Sequence, residues 1–295
     1  MKRPMLYGTV LLTFLFALWI LVFLKPGTLY NPKPLIGWSA GRSPPHVVIF
    51  AVSGRCGLNC DAPEVNHEYL TAAGTIKYLA HSFDERGEVV YSLAYRAHLL
   101  NDRSGGSGRE QDAQHGFLQL EADFDWVQRN WPNTRRVLLG HSHGVNWTHT
   151  LLRLHPDWTV DYLIDLDGVC AMWEEDNALL FSMYARSGRN KRWKLDPSQG
   201  CNVEVVYIKD VERFYDVKDI VYWGAAYNLE VRTRTPYLHD AVPNVRPDGS
   251  FLDIASLVTD DDHSAIVVPG SEALDWVAHT ITRIEEARVT NQRIR

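Results

Sequence analysis

The chain has 295 residues, of which 45% are hydrophobic and 22% are charged, so its composition is that of an ordinary globular protein. This length favours one large domain or two small ones, with room for a sizeable core. The formal net charge is −6, and the sequence contains no long basic run. These properties argue against nucleic acid as the main partner.

The N-terminus departs from this composition. Lys2 and Arg3 precede an uncharged, mostly apolar stretch from Pro4 to Leu24. A helix of about 20 residues rises about 30 Å, which matches the hydrocarbon core of a bilayer. We expect residues 1–24 to form a transmembrane signal-anchor, with the body of the protein on the extracytoplasmic (periplasmic or extracellular) side. A cleaved signal peptide is the alternative, although no small-x-small cleavage site follows the apolar stretch.

Residues 25–45 contain five prolines and three glycines, which is typical of a spacer. Residues 46–295 are therefore predicted to form the folded domain. The four cysteines suggest disulfides, because their number is even and the chain is predicted to be exported. We favour the pairs Cys56–Cys60 and Cys170–Cys201, since each pair brackets one predicted loop. Free buried thiols are the alternative, whereas a zinc site is disfavoured because no CxxC spacing occurs.

Strand-like and helix-like segments alternate after the spacer. Residues 46–52 form a continuous apolar run, as expected of a parallel strand covered on both faces. The predicted strands are residues 46–52, 88–95, 136–140, 159–167, 202–208 and 251–259. The predicted helices are residues 68–82, 116–130, 144–155 and 271–287, the last with Ser271 as its N-cap. This alternation predicts an α/β domain with a mostly parallel central sheet and helices on both faces.

Residues 140–144 read Gly-His-Ser-His-Gly, between a predicted strand and a predicted helix. A serine in a sharp strand-to-helix turn requires small flanking residues, because neighbouring backbone approaches closely there. The turn lifts the Oγ of Ser142 above the sheet. It also aims the N-terminus of the next helix at the site, which favours developing negative charge. The alternative is a tight turn in an unrelated α/β protein.

With this motif, residues 46–287 resemble the α/β-hydrolase superfamily, and its lipase and esterase branches in particular. The resemblance implies a nucleophile, an acid and a histidine in that chain order. Ser142 is the expected nucleophile, and His263, which follows the last predicted strand, is the expected base. His141 and His143 flank the serine, but adjacent side chains on such a turn point away from Oγ. Their His-x-His spacing is compatible with a metal, yet no third ligand is evident, so we predict neither a metal nor a cofactor.

The resemblance places the acid about four residues past the strand at 202–208. That position is Glu212, with Asp210 and Asp216 close by. In some lipases the acid instead follows the preceding strand, which points to Asp167. We prefer Glu212 and Asp210, although any of these carboxylates can instead serve as a loop cap or turn residue.

The resemblance also implies two backbone N–H donors for an oxyanion. One is expected from His143, the residue after the nucleophile. The other is expected from the loop after the first strand, where Ser53-Gly54 replaces the His-Gly pair of the family. Arg55 is the preferred donor and Gly54 the reserve, although Arg55 can equally be a solvated loop charge.

Residues 168–201 lie where this family often inserts a cap, and the two cysteines Cys170 and Cys201 bracket the segment. Its aromatic and aliphatic residues either line an acyl pocket or pack on the core. The resemblance as a whole implies a membrane-anchored serine hydrolase that cleaves small-molecule or lipid-like acyl esters through an acyl-enzyme. An amidase, peptidase or thioesterase with the same triad remains open. So does a non-catalytic member of the fold that serves as a binding module in the cell envelope.

Overall fold

The computed structural model describes residues 43–54, 69–97, 116–170, 201, 203–208, 211–234 and 242–294. The predicted anchor and most of the spacer lie outside these residues, as does the predicted cap apart from its two ends. Within the described ranges, no helix has both the length and the apolar character needed to cross a bilayer.

A six-stranded sheet in which every neighbouring pair is parallel forms the centre of the domain. Its strands are β1 (Val47–Ser53), β2 (Val90–Arg96), β3 (Arg135–His141), β4 (Val160–Leu166), β7 (Ala225–Thr233) and β8 (Ile254–Thr259), in the spatial order β2-β1-β3-β4-β7-β8. All seven residues of β1 are buried, as the apolar run predicts. The prediction of an α/β domain with a mostly parallel sheet is confirmed.

Helices connect these strands. They are α1 (Tyr69–Ala72), α2 (Thr75–Asp84), α3 (Gly116–Asn130), α4 (His143–Leu154) and α5 (Glu272–Ile294), with short 3-10 turns at Val217–Asp219 and Ala265–Val267. The single helix predicted at 68–82 is divided in two at Gly74, whose φ of 85° is left-handed. The Ser271 hydroxyl accepts a hydrogen bond from the N–H of Leu274 (3.2 Å), which confirms the predicted cap of α5.

The sheet is covered on both faces. On one face α2 and α5 pack against it through Leu79, Phe83, Val277 and Ile281, which belong to one cluster with strand residues such as Ile49. On the other face Phe50 of β1 contacts Phe124 of α3, with ring centroids 5.0 Å apart, and Phe124 stacks on Trp158. Burying such a side chain stabilises the fold by about 1.5–3 kcal/mol, so these two layers hold the sheet rigidly beneath its loops.

The strand predicted at 202–208 is present but belongs to a different sheet. It is β5 (Val203–Ile208), which pairs antiparallel with β6 (Val211–Asp216) in a separate hairpin. The strand beside β4 is instead β7, for which the sequence gives no clear signal because two of its core positions are polar. Asn228 and Glu230 are both buried there. Residues 203–208 are therefore not a strand of the main sheet.

Candidate active site

Ser142 occupies the turn between β3 and α4 in a strained conformation. Its φ is 57° and its ψ is −126°, a region that costs a non-glycine residue about 1–3 kcal/mol. Its N–H donates to the carbonyl of Leu166 at the end of β4 (3.1 Å), and its carbonyl accepts from the N–H of Val145 (3.2 Å). The strained turn is thus fixed by the neighbouring strand on one side and the first turn of α4 on the other.

Three glycines leave room for this turn. A Cβ at Gly140 would lie 2.7 Å from the backbone of Val145, and one at Gly144 would lie 2.0 Å from the Val52 carbonyl oxygen. At Gly54, a Cβ would lie 2.4 Å from the Cβ of Ser142. The close approach predicted for both glycines that flank the serine is confirmed.

His263 lies in the loop after β8, where the chain order predicts a histidine. The loop is shaped by Asp262, whose Oδ1 accepts from the N–H of Ser264 (2.9 Å) and of Ala265 (3.0 Å). The Ser264 hydroxyl donates to the same oxygen, and these bonds lower the pKa of Asp262. A local turn therefore holds the backbone of His263 in place.

The imidazole of His263 contacts Asp167. Its Nδ1 donates to the Oδ2 of this carboxylate at 2.7 Å. An ionised carboxylate only accepts hydrogen bonds, so the proton of a neutral His263 is on Nδ1, and Nε2 keeps a lone pair. This tautomer is the one that a general base needs in order to take a proton from a serine.

Asp167 follows β4 directly and has a positive φ of 47°. It is fully buried, and Thr233 at the end of β7 donates to it twice, from its N–H to Oδ1 (2.9 Å) and from its hydroxyl to Oδ2 (2.8 Å). Burial alone would raise the pKa of Asp167, but the bonds from His263 and Thr233 outweigh it and the pKa is lowered. The carboxylate is therefore ionised and oriented.

The acid preferred from the sequence needs a correction. Glu212 lies exposed on β6, opposite Tyr207 of the hairpin, and the carboxylate on His263 is Asp167. Asp216 caps the 3-10 turn that follows β6, and Asp210 lies outside the described residues. The physical reason is that β7, and not β5, lies next to β4. The alternative from the sequence, Asp167, directly follows β4 and fits this sheet.

The two expected oxyanion donors have different outcomes. His143 is the first residue of α4, so its backbone N–H lies in the first turn of that helix. Arg55 lies outside the described residues. The N–H of Gly54 donates to the hydroxyl of Tyr69 (2.8 Å) and is engaged there. Tyr69 therefore also lies at the site, although no motif in the sequence predicts it.

A strained serine above a parallel sheet, followed in chain order by a paired aspartate and histidine, is similar to the arrangement in α/β-hydrolases. The chain has an α/β fold with a parallel six-stranded sheet. No family model matches this sequence, and no curated protein does.

Several solved structures, among them an esterase and lipolytic enzymes, are similar to this chain at 14% identity. Est1E from Butyrivibrio proteoclasticus matches with a TM-score of 0.39, over 84% of this chain and 90% of that one. The Pyrococcus furiosus esterase Pf2001 matches with a TM-score of 0.42, over 82% and 80%. The metagenome-derived lipolytic enzymes LipS and LipT match with a TM-score of 0.41, over 81% and 94%. Residue roles in this chain rest on its own geometry.

The predicted disulfide between Cys170 and Cys201 is present, with the two Cα atoms 5.6 Å apart. It lies beside α4, where the side-chain amide of Asn146 donates to the carbonyl of Val169 (2.7 Å). The disulfide therefore joins Cys170 to Cys201 beside the helix that begins at the serine turn, with both sulfur atoms near the Asn146 side chain. The second predicted pair, Cys56–Cys60, lies outside the described residues.

The His-x-His spacing around the serine does not form a ligand pair. Both ring nitrogens of His141 are engaged, Nδ1 with the Tyr69 hydroxyl and Nε2 with the carbonyl of His263. Across the part of the chain that the structure describes, no three His, Cys, Asp or Glu side chains converge as metal ligands.

Proposed function

We propose that this protein is a serine hydrolase that cleaves carboxylic esters, with Ser142 as nucleophile, His263 as base and Asp167 as acid. The observation that supports this most directly is the 2.7 Å hydrogen bond from His263 Nδ1 to Asp167. The His263 ring also packs on His141, the residue before the strained serine, with ring centroids 4.6 Å apart. A buried histidine–aspartate pair is common in proteins, but together with a serine of positive φ it supplies the groups that acyl transfer needs.

In the proposed acylation step, Nε2 of His263 takes the proton of Ser142 as Oγ attacks the ester carbonyl carbon. The imidazolium that forms is stabilised by the ionised Asp167. The oxyanion accepts from the N–H of His143 at the start of α4, where the helix dipole also favours negative charge. His263 then gives its proton to the leaving alcohol, and Ser142 carries the acyl group. Water activated by His263 attacks the acyl-enzyme in the same way and releases the acid.

The proposed setting is a membrane surface. The apolar stretch at 4–24 supports a single-pass anchor, and the disulfide Cys170–Cys201 is compatible with the proposed extracytoplasmic side. A tethered enzyme meets substrates that lie in or near the bilayer. We therefore propose small-molecule or lipid-like esters as the substrate class.

The test is hydrolysis of p-nitrophenyl esters from acetate to laurate by the full-length protein in detergent. Ser142→Ala and His263→Ala should each lower kcat/KM at least about 10³-fold, because the triad acts as a unit. The matched controls are Ser92→Ala and His81→Ala, two exposed residues on β2 and α2. Both controls should keep wild-type activity.

Three outcomes would contradict the proposal. Activity that survives Ser142→Ala would place the nucleophile elsewhere. A folded wild-type protein that hydrolyses p-nitroanilides and no ester would indicate an amidase. A folded protein inactive towards both classes would favour a binding module.

A further inference from the structure

His141 precedes the proposed nucleophile and is 3% exposed. Its imidazole lies beside that of His263, with ring centroids 4.6 Å apart and an interplanar angle of 33°. The edge of the Tyr69 ring meets it on another side, with centroids 5.4 Å apart. A polar ring buried this deeply requires hydrogen-bond partners.

The partners of His141 fix its tautomer. The main-chain carbonyl of His263 lies 2.8 Å from Nε2, and a carbonyl oxygen only accepts, so Nε2 carries the proton. Nδ1 is then an acceptor, and the Tyr69 hydroxyl, 2.5 Å away, donates to it. The oxygen of that hydroxyl in turn accepts the N–H of Gly54 (2.8 Å).

These bonds form one directed chain from Gly54 through Tyr69 and His141 to the backbone of His263. Gly54 lies at the end of β1, against the serine itself, and His263 lies in the loop after β8. These two segments are more than 200 residues apart in sequence. His141 therefore connects the two sides of the proposed site through hydrogen bonds of defined direction.

The ring of His141 is also neutral. Burial and the neighbouring His263 lower the pKa of His141 to about 3, against the opposing effects of the His263 carbonyl and of Asp167. Among the described residues, the titratable groups that face His141 or affect its pKa are Tyr69, His263 and Asp167. A neutral ring here does not oppose the positive charge that His263 acquires during the proposed reaction.

We propose that His141 is a positioning residue for the serine-hydrolase reaction, which holds the backbone of His263 in place and links it to the loop after β1. This inference rests on the proposed function and goes beyond it, because the motif itself gives the residue before the serine no role. A displacement of about 1 Å in a reacting group can cost about 10²-fold in rate. Loss of the bond to His263 should therefore reduce kcat and leave KM nearly unchanged.

Three variants of the full-length protein separate this role from packing. His141→Phe keeps a ring and removes both nitrogens, and it should lower kcat about 10- to 100-fold with KM within about threefold. His141→Gln restores an N–H near the position of Nε2 and should recover activity to within about tenfold of wild type. Tyr69→Phe removes only the hydroxyl and should lower kcat by less than His141→Phe does.

A second readout is independent of turnover. Nitrogen NMR of the full-length protein labelled in its histidines, with His141→Gln to assign the signal, should show His141 as the neutral Nε2–H tautomer from pH 5 to 9. A His141 signal that titrates in that range, or that reports the Nδ1–H tautomer, would overturn the inference.

The kinetic outcomes are equally decisive. A folded His141→Phe protein with kcat within twofold of wild type would overturn the inference. If His141→Phe does not fold, a Tyr69→Phe protein with wild-type kcat would overturn it instead. A folded wild-type protein without hydrolase activity would instead overturn the proposed function. An active enzyme insensitive to these changes would overturn the positioning role alone.

Discussion

In Asp167→Asn, the hydrogen-bond partners of the site fix the orientation of the new amide side chain. The side-chain amide is nearly isosteric with the carboxylate but has one acceptor oxygen and one NH₂ donor. The N–H of Thr233 faces Oδ1 and can only donate, so the amide oxygen must take that position. The NH₂ group then takes the position of Oδ2, where His263 Nδ1 and the Thr233 hydroxyl lie at 2.7 and 2.8 Å.

Both of these neighbours can become acceptors. The threonine hydroxyl rotates, and His263 moves its proton from Nδ1 to Nε2. The free energy of unfolding then falls by only about 1 kcal/mol, the cost of an exchange of hydrogen-bond partners. Catalysis loses much more, because an Nε2–H imidazole cannot accept the serine proton. In the serine-protease triad the same change costs about 10⁴-fold. We expect a loss of about 10³- to 10⁴-fold in kcat/KM, which corresponds to about 4–5.5 kcal/mol in the barrier.

The assay is kcat/KM for p-nitrophenyl butyrate together with the urea midpoint of unfolding. Glu212→Gln is the matched control, since Glu212 is one of the two carboxylates preferred from the sequence and it lies exposed on the hairpin. We expect Asp167→Asn to be folded and nearly inactive and Glu212→Gln to resemble wild type. The reverse order of activities, or an Asp167→Asn protein within tenfold of wild type, would refute the reasoning about the tautomer.

Three further predictions concern stability. Gly144→Ala should lower the free energy of unfolding by about 3 kcal/mol, because its Cβ would lie 2.0 Å from a backbone oxygen of β1. Gly87→Ala, whose Cβ would have no atom within 4 Å, should lower it by only about 1–2 kcal/mol because φ is positive there. Equal urea midpoints for the two variants would contradict the steric argument. Burial alone would lower the pKa of His149, but the effect of Asp165 is larger, and the pKa of His149 is raised. The charged pair therefore stabilises the fold below about pH 6.5, and this contribution disappears as the pH rises through the raised pKa. The melting temperature should therefore fall more between pH 6 and 9 in wild type than in His149→Gln, and identical slopes would count against the pair. Replacing both Cys170 and Cys201 by serine should lower the free energy of unfolding by about 4 kcal/mol, the loop-closure entropy expected for a sequence separation of 31 residues. An unchanged urea midpoint of unfolding would exclude this effect.

The serine turn and the histidine loop are predictable from sequence because their determinants are local. The glycines at 140 and 144 are required by contacts within a few ångströms of the serine, and the strand before them is an apolar run. His263 follows the last strand and precedes a helix with a recognisable serine cap. Each of these signals lies within about ten residues of the feature that it predicts.

The acid is not predictable in this way, since its position depends on which strand lies next to β4. The strand that does so contains buried Asn228 and Glu230, whose polarity conceals it in the sequence. Their partners are distant in the chain: Asn228 donates to Asp165 (2.5 Å), and the N–H of Asn244 donates to Glu230 (2.9 Å). Only the folded sheet brings these groups together, so a local pattern identifies the wrong strand and with it the wrong carboxylate.

The measurement that tests the central claim most directly is covalent labelling of the full-length protein with a fluorophosphonate, followed by mass spectrometry of the modified peptide. We expect one adduct, on Ser142, whose rate of formation falls sharply in His263→Ala and Asp167→Asn and stays at the wild-type rate in Glu212→Gln. An adduct on another residue would contradict the role of Ser142 as nucleophile. So would a folded protein that does not react under conditions in which a known serine hydrolase in the same detergent does.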